Sequence, residues 1–168
     1  YEVISACKTK WNFGAYYPGL VGGHCISIDP YYLIEFGKKN NIELKTLQTS
    51  RNVNEKFISH IENKITNFFA KNSILKTQDI LFIGDTYKKN IDDFRNSGAL
   101  KIFKNISKHY TKSVLYDPHG DYEIDDLKKK YIAVIILVFH DEIKKNNKIM
   151  KIIHQSKFII DIFQNIKK

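Results

Sequence analysis

The sequence lacks the features that mark several large classes of protein. It contains only two cysteines, Cys7 and Cys25, and no CxxC or paired Cys/His spacing, so neither a disulfide framework nor a zinc site is indicated. No apolar run approaches the ~20 residues of a membrane-spanning helix, since the best, 132–139, has the length of a strand. We find no signal-peptide pattern. We therefore expect a cytoplasmic protein with no metal and no membrane partner.

Acidic residues are also in the minority, with 18 against 27 lysines and arginines, which gives a net charge of +9. A positive charge suits partners that carry phosphate. The lysines are spread along the chain, however, and the combined aromatic and basic motifs of nucleic-acid-binding domains are absent. We expect most lysines to form a solvated surface, and no nucleic-acid partner.

Glycine and proline are scarce, with 8 and 3 residues, but they gather in one stretch, PGLVGGHCISIDP at 18–30. Asp29-Pro30 is typical of a helix start, with Asp29 as the N-cap, so we expect Cys25 in a tight loop just before that helix. The positive end of the helix dipole would stabilise a thiolate there. The spacing alone leaves two interpretations open, a reactive cysteine or a buried inert one.

The rest of the chain predicts an α/β fold with helices first and a parallel sheet second. Arg51, Asn52 and Asn54 interrupt one long helical pattern, either as an exposed face or as a polar patch turned toward the glycine-rich loop. We expect a helical segment over residues 1–73 and a Rossmann-like, doubly wound parallel-sheet domain over 74–168. Helices are predicted at 1–10, 30–39, 44–71, 98–110 and 143–154, and strands at 79–84, 113–118, 132–139 and 158–161.

A polar loop, 84–97, follows the first predicted strand. Open α/β sheets bind ligands beyond the carboxyl ends of their strands, where this loop would offer Lys88, Lys89 and Arg95 to an anion. The helix that begins near Ser97 could receive a phosphate at its N-terminus. The loop has neither the P-loop glycines nor GxGxxG. An ordinary surface loop is the equally weighted alternative.

Five motifs occur in a familiar order: PGLVGGHCISIDPYYL, RxxN at 51–54, GDTYKKNIDDFRNS, YDP and LVFHDE. In this order they resemble the central and C-terminal parts of the UDP-glucose/GDP-mannose dehydrogenase family. Within the family they are most similar to bacterial UDP-N-acetylhexosamine 6-dehydrogenases of capsular and Vi-type polysaccharide synthesis. The resemblance covers essentially the whole chain. It implies NAD-dependent oxidation of a sugar C6 alcohol to the acid, through a cysteine thiohemiacetal and thioester.

The resemblance also implies roles for individual residues. Cys25 matches the nucleophile, and Asp29 matches the aspartate that positions or activates water. His24 would be structural. Contacts to the UDP-sugar substrate are implied for Tyr17, Gly22, Gly23, Lys88 and Arg95.

The sequence departs from the family pattern in three places. The N-terminal domain that would bind NAD, with its GxGxxG, is absent, so we expect this chain alone to be inactive. Asp85 stands where the family has a hydrophobic residue and would place a carboxylate beside the anion site. No basic residue directly follows Asp161. A second hypothesis therefore stays open, a non-catalytic UDP-sugar-binding remnant or regulatory module. The resemblance further implies a homodimer formed through the helical domain, and it does not choose between sugar epimers.

Overall fold

The computed structural model describes residues 1–17, 19–124, 127–128 and 130–163. Within these ranges no helix is long and apolar enough to cross a membrane. The elements, in chain order, are α1 (Glu2–Cys7), α2 (Cys25–Lys39), α3 (Lys45–Lys71), β1 (Ile80–Ile83), α4 (Gly98–Ser107), β2 (Ser113–Tyr116), β3 (Ala133–Ile136), α5 (Asp141–Lys145), α6 (Asn147–Gln155) and β4 (Phe158–Asp161).

The four strands form one parallel sheet in the order β2-β1-β3-β4. The central strands β1 and β3 are buried throughout, as expected of parallel strands that are covered on both faces. The chain leaves β1 toward β2 on one side and later returns to β3 on the other. The strand order therefore reverses at β1, and the crevice of an open α/β sheet lies beyond the carboxyl ends of β1 and β3. The predicted α/β fold with a parallel sheet is confirmed.

Alternating strand residues supply two apolar layers, because successive side chains point to opposite faces of a sheet. One face packs under α3 and α4 through Ile61, Ile65, Phe69, Phe82, Ala99, Ile102 and Ile106. The other packs under α5 and α6 through Leu81, Ile83, Val134, Ile136, Ile143, Ile149 and Ile153. The C-terminal half of α3 thus forms part of the helical layer on the sheet.

In the second half of the chain, two predicted elements differ most from the observed ones. The single helix predicted at 143–154 is two helices, because Asn146 adopts an extended conformation and its side chain accepts the Lys148 and Ile149 N–H groups as an N-cap. The strand predicted at 132–139 is shorter, since β3 pairs with its neighbours only as far as Ile136. Beyond it, the N–H groups of 137 and 138 both donate to the Ile83 carbonyl.

Candidate functional site

Cys25 is the first residue of α2 and does not lie in a loop ahead of a helix. His24 is the N-cap residue and Pro30 lies inside the helix, so the prediction that Asp29 caps a helix beginning at Pro30 is wrong. Because Pro30 has no N–H, the Ile26 carbonyl receives no helical hydrogen bond from it, and this destabilises the helix locally. Tertiary contacts of the glycines that precede Cys25 must compensate for that loss. Asp29 follows Cys25 by one turn on the same helix face, and both residues are exposed.

Those tertiary contacts join two segments, which we call the cysteine loop (19–24) and the β1 loop (84–97). The Gly23 N–H donates to the Arg95 carbonyl at 2.9 Å, and the Gly23 carbonyl accepts from Asn96 Nδ2 at 3.0 Å. Gly23 has a φ of 84°, which favours glycine. The two segments that the sequence singled out therefore form one surface.

Close packing explains why glycines stand at this contact. A Cβ on Gly22 would lie 2.7 Å from the Asn96 carbonyl oxygen, and one on Gly23 would lie 3.0 Å from the Tyr87 ring. Both glycines are buried, and the space in front of them is filled by the β1 loop.

Arg95 contacts the cysteine loop through its backbone carbonyl. Its Nε donates to the Asp93 carboxylate at 3.0 Å and a terminal nitrogen does so at 2.6 Å. These bonds raise the pKa of Arg95, to which the charges of Tyr87 and Cys25 add smaller increases. The same bonds lower the pKa of Asp93 to about 2, with a minor contribution from His24. The Arg95 backbone thus contacts the cysteine loop two residues before Cys25, and the Arg95 guanidinium is already held by one carboxylate.

The other predicted substrate contacts lie at different positions. Lys88 is exposed on the β1 loop, and its ammonium makes no ion pair within the described part of the chain, whereas Lys89 pairs with Asp141 at 3.4 Å. Tyr17 is half exposed and stacks on Tyr1 with ring centroids 5.9 Å apart. The Tyr1 hydroxyl donates to the carbonyl of residue 163, just beyond β4, at 2.6 Å.

A buried polar network closes the carboxyl ends of β1, β2 and β3. Asp117 Oδ2 accepts the Asp85 N–H at 2.9 Å and lies 2.9 Å from His140 Nε2. Since His140 Nδ1 accepts the Asn90 N–H at 2.9 Å, the ring proton resides on Nε2 and is donated to Asp117. Burial favours a higher pKa for Asp117, but the bonds from His140 and from backbone N–H groups outweigh it and hold the pKa below its usual value.

Asp85 belongs to the same network. It is 5% exposed, and the Tyr122 hydroxyl donates to its Oδ2 at 2.9 Å, while Oδ1 has no hydrogen-bond partner in the part of the chain that the structure describes. Burial is the largest cause that raises the pKa of Asp85; the Tyr122 bond lowers it, Asp117 raises it, and the net value is about 6. The expectation that Asp85 would place its carboxylate beside an exposed anion site is thus corrected, because the carboxylate is turned inward toward Tyr122.

The N-terminus of α4 is less open than the sequence predicted. Ser97 Oγ accepts the Leu100 N–H at 3.2 Å as an N-cap and donates to the Thr86 carbonyl at 3.1 Å. The Leu20 side chain packs against Gly98, at 3.2 Å from where its Cβ would be. Little room remains there for a phosphate.

The residues present also do not fit NAD. A dinucleotide site of this kind needs free backbone N–H groups after the first strand. Here Asp117 accepts the Asp85 N–H at 2.9 Å and the Thr86 N–H at 3.5 Å. The described residues also contain no cluster of three or more His, Cys, Asp or Glu that could hold a metal ion.

Arg51 resolves the alternative that the sequence left open for the polar cluster on α3. Arg51 is buried, with its guanidinium 5.3 Å from the centroid of the Tyr31 ring, and Asn54 Nδ2 approaches the Val21 carbonyl at 3.4 Å. Asn52 is exposed. Asn54 therefore faces the cysteine loop and Arg51 packs on α2, but helical periodicity could not show that Arg51 is buried.

His140, Asp117 and Asn90 were not predicted as site residues. The signal available for the first two was the placement of LVFHDE and YDP directly after buried strands, where polar side chains meet at one edge of the sheet.

Comparisons with known proteins give a consistent result. Residues 81–168 match the UDP binding domain of the UDP-glucose/GDP-mannose dehydrogenase family, and residues 1–56 match its central domain. The chain is 30% identical over 155 residues to UDP-N-acetyl-D-glucosamine 6-dehydrogenase from Salmonella typhi, covering 85% of this chain and 36% of that protein. It is 34% identical over 137 residues to UDP-N-acetyl-D-mannosamine dehydrogenase from Methanococcus vannielii, covering 78% of this chain and 31% of that protein.

Solved structures support the same likeness. UDP-D-ManNAc dehydrogenase from Pyrococcus horikoshii superposes with a TM-score of 0.80 at 30% identity, covering 100% of this chain and 41% of that one. The chain therefore spans well under half the length of the relatives it matches.

Proposed function

Because the chain belongs to the UDP-glucose/GDP-mannose dehydrogenase family, we propose that it is part of a nucleotide-sugar 6-dehydrogenase. The substrate would be a UDP-N-acetylhexosamine, or a UDP-hexose, oxidised to its uronic acid. One observation supports the proposal most strongly: exposed Cys25 begins α2 two residues after Gly23, whose N–H donates to the Arg95 carbonyl of the β1 loop at 2.9 Å. The thiol attacks the sugar while a cation binds the phosphates of the same substrate, so the nucleophile and the cation must lie near each other.

Cys25 would act as the covalent nucleophile. Its Sγ would form a bond to the C6 aldehyde carbon and give a thiohemiacetal, and oxidation of that carbon would leave a thioester. Water would then attack the thioester carbon, break the C–S bond and release the acid with the free thiol. Asp29, one turn along the same exposed helix face, would position or activate that water.

The remaining site residues would hold the UDP-sugar. Lys88 and Arg95 would neutralise the diphosphate, which both can approach from the exposed side of the β1 loop. Tyr17 offers a half-exposed ring for the sugar or the uracil. Gly22 and Gly23 would act by fixing the cysteine loop, since their own space is filled by the β1 loop.

NAD, held by a part of the enzyme outside this chain, would accept the hydrides. As parts of the same proposal, residues 1–73 would be the distal part of a helical domain and 74–168 the UDP-sugar-binding domain. The helical domain would form a homodimer, in a bacterial cytoplasmic enzyme of polysaccharide synthesis.

Calorimetric titration of this chain with UDP tests the binding role. Lys88→Ala should weaken UDP binding by about tenfold, because it removes a charge-assisted bond to phosphate. Lys89→Ala is the matched control, since Lys89 is already paired with Asp141, and should leave the affinity nearly unchanged. Absence of UDP binding, or equal effects of the two variants, would contradict the proposed role of the β1 loop.

Catalysis is tested in a longer chain that includes a dinucleotide-binding domain. With NAD and a UDP-N-acetylhexosamine, Cys25→Ser should abolish acid formation, and Cys7→Ser should retain it. Normal turnover by Cys25→Ser would remove this thiol from the reaction. UDP binding without any acid formation by the longer chain would favour the alternative of a non-catalytic UDP-sugar-binding module.

A further inference from the structure

A polar cavity lies against the cysteine loop, on the helix face of α2 opposite the exposed Cys25 thiol. It has a volume of about 190 Å³ and is enclosed by α2, α3, α4 and the two loops. That volume exceeds the ~30 Å³ share of a single liquid water, so the cavity has room for a larger occupant.

Two buried hydrogen-bonding groups that line this cavity have no partner among the described residues. Arg51 is 7% exposed and Ser27 is 8% exposed, and neither Arg51 Nε nor Ser27 Oγ bonds to any of them. Buried donors are nearly always satisfied in folded proteins, by protein, water or a bound ligand. We therefore expect a hydrogen-bond acceptor inside the cavity for these two donors.

The charges around the cavity indicate the kind of acceptor. Arg51 and Lys101 supply two cations, and the only carboxylate among the lining residues, Glu55, already accepts from the Arg51 guanidinium at 3.2 Å. The Lys101 ammonium makes no ion pair within the described ranges, and the lining therefore carries one net positive charge. An anion with several acceptor oxygens matches this arrangement better than a neutral group.

We propose that this cavity binds a small oxyanion of the phosphate type, held by Arg51, Ser27 and Lys101. Bound there, the anion bridges α2, α3 and α4. Asn54 and Asn96, which also line the cavity, bond to the Val21 and Gly23 carbonyls of the cysteine loop. The anion thus braces the segment that precedes Cys25. The proposal stands independently of the dehydrogenase reaction.

Arginine side-chain NMR provides a direct test, because the chain has only two arginines, Arg51 and Arg95. Titration with inorganic phosphate, at ionic strength held constant with chloride, should shift the Arg51 Nε–H signal saturably in the millimolar range. The Arg95 Nε–H, which is bonded to Asp93, is followed in the same spectra and reports separately any phosphate that binds at the β1 loop. A shift confined to Arg95, or an equal Arg51 shift with chloride alone, would overturn the proposal.

Matched variants locate the site. The rise in melting temperature on adding phosphate measures phosphate binding by each variant, independently of the NMR signals. Phosphate should raise the melting temperature of the wild-type chain. Lys101→Gln should weaken phosphate binding by about tenfold and Ser27→Ala by about fivefold. These factors follow from the typical free energies of a charged and a neutral hydrogen bond. Lys104→Gln, an exposed lysine on the same helix that does not line this cavity, should have no effect. Equal effects of Lys101→Gln and Lys104→Gln would refute the site.

A UDP titration distinguishes two sources of the phosphate. If UDP displaces inorganic phosphate and shifts the Arg51 signal, the cavity takes a phosphate of the nucleotide. If UDP binds in a Lys88-dependent manner without moving the Arg51 signal, the cavity is a separate site for free phosphate. If the chain binds phosphate in this cavity but does not bind UDP, the proposed function is refuted and the phosphate site is not.

Discussion

Replacing Asp85 with Asn should stabilise the fold at neutral pH, although it alters a residue that is 5% exposed. The ionised carboxylate is buried near Asp117, and no described residue donates a hydrogen bond to its Oδ1. An Asn side chain can still accept the Tyr122 hydroxyl through its oxygen. The Asn amide nitrogen can also donate a hydrogen bond to the Asp117 carboxylate. The Asp85 side chain can donate such a bond only when it is protonated.

The size of the effect follows from the pKa of Asp85, which is about 6 in the folded state against an ordinary value of 3.8. Because the folded pKa is the higher one, the folded state binds the proton more tightly, and stability is lost as the pH rises. The loss begins near pH 4 and is complete above pH 6. Two pKa units correspond to at most about 3 kcal/mol, and screening by solvent at the edge of the sheet reduces this to roughly 1–2 kcal/mol.

Urea unfolding of the wild-type chain and of Asp85→Asn should be compared at pH 4 and pH 7.5. The two stabilities should nearly coincide at the lower pH, and the variant should exceed the wild type by roughly 1–2 kcal/mol at the higher pH. Asp92→Asn, which changes an exposed carboxylate in the same loop, should move either value by less than about 0.5 kcal/mol. A gain that is independent of pH, or a variant less stable at pH 7.5, would refute the reasoning.

Three further outcomes test the geometry of the site. Iodoacetamide should modify exposed Cys25 faster than half-buried Cys7, as measured by peptide mass spectrometry, and the reverse order would contradict the placement of α2. Ser97→Ala should lower the urea-unfolding free energy by about 1–2 kcal/mol through loss of the N-cap, so an unchanged value would exclude that cap. Gly22→Ala should cost about 1–3 kcal/mol by forcing the two loops apart, whereas Gly19→Ala, with open space around it, should cost little.

Much of the fold could be predicted because its signals are local. Continuous apolar runs followed by polar or turn residues marked all four strands, and their alternation with helical periodicity predicted the parallel sheet. The same logic placed the β1 loop at the crevice, since the carboxyl ends of parallel strands meet at one edge. The family resemblance was carried by the order of the motifs, which no single element could supply.

The errors arose where a tertiary contact outweighs a local rule. Asp29-Pro30 has the sequence of a helix start, yet the docking of Gly23 on the β1 loop sets the start of α2 at Cys25. Asp85 follows a strand and suggested an exposed carboxylate, but Tyr122, far along the chain, draws it inward. The burial of Arg51 likewise depends on a different helix, α2. Contacts of this kind join distant residues and leave no periodic signal.

The interlocking of the two loops bears on how the site is assembled. Two hydrogen bonds at Gly23 fix the start of α2 and with it the position of Cys25: its N–H donates to the Arg95 carbonyl, and its carbonyl accepts from the Asn96 side chain. The β1 loop is itself anchored by the Asn90 N–H, which donates to His140, and by Ser97, which caps α4. Rigid anchoring of one loop thereby orients the other. In the reaction we propose, a nucleophile must meet a sugar held by its phosphates within a fraction of an ångström, and this arrangement supplies that precision through the backbone.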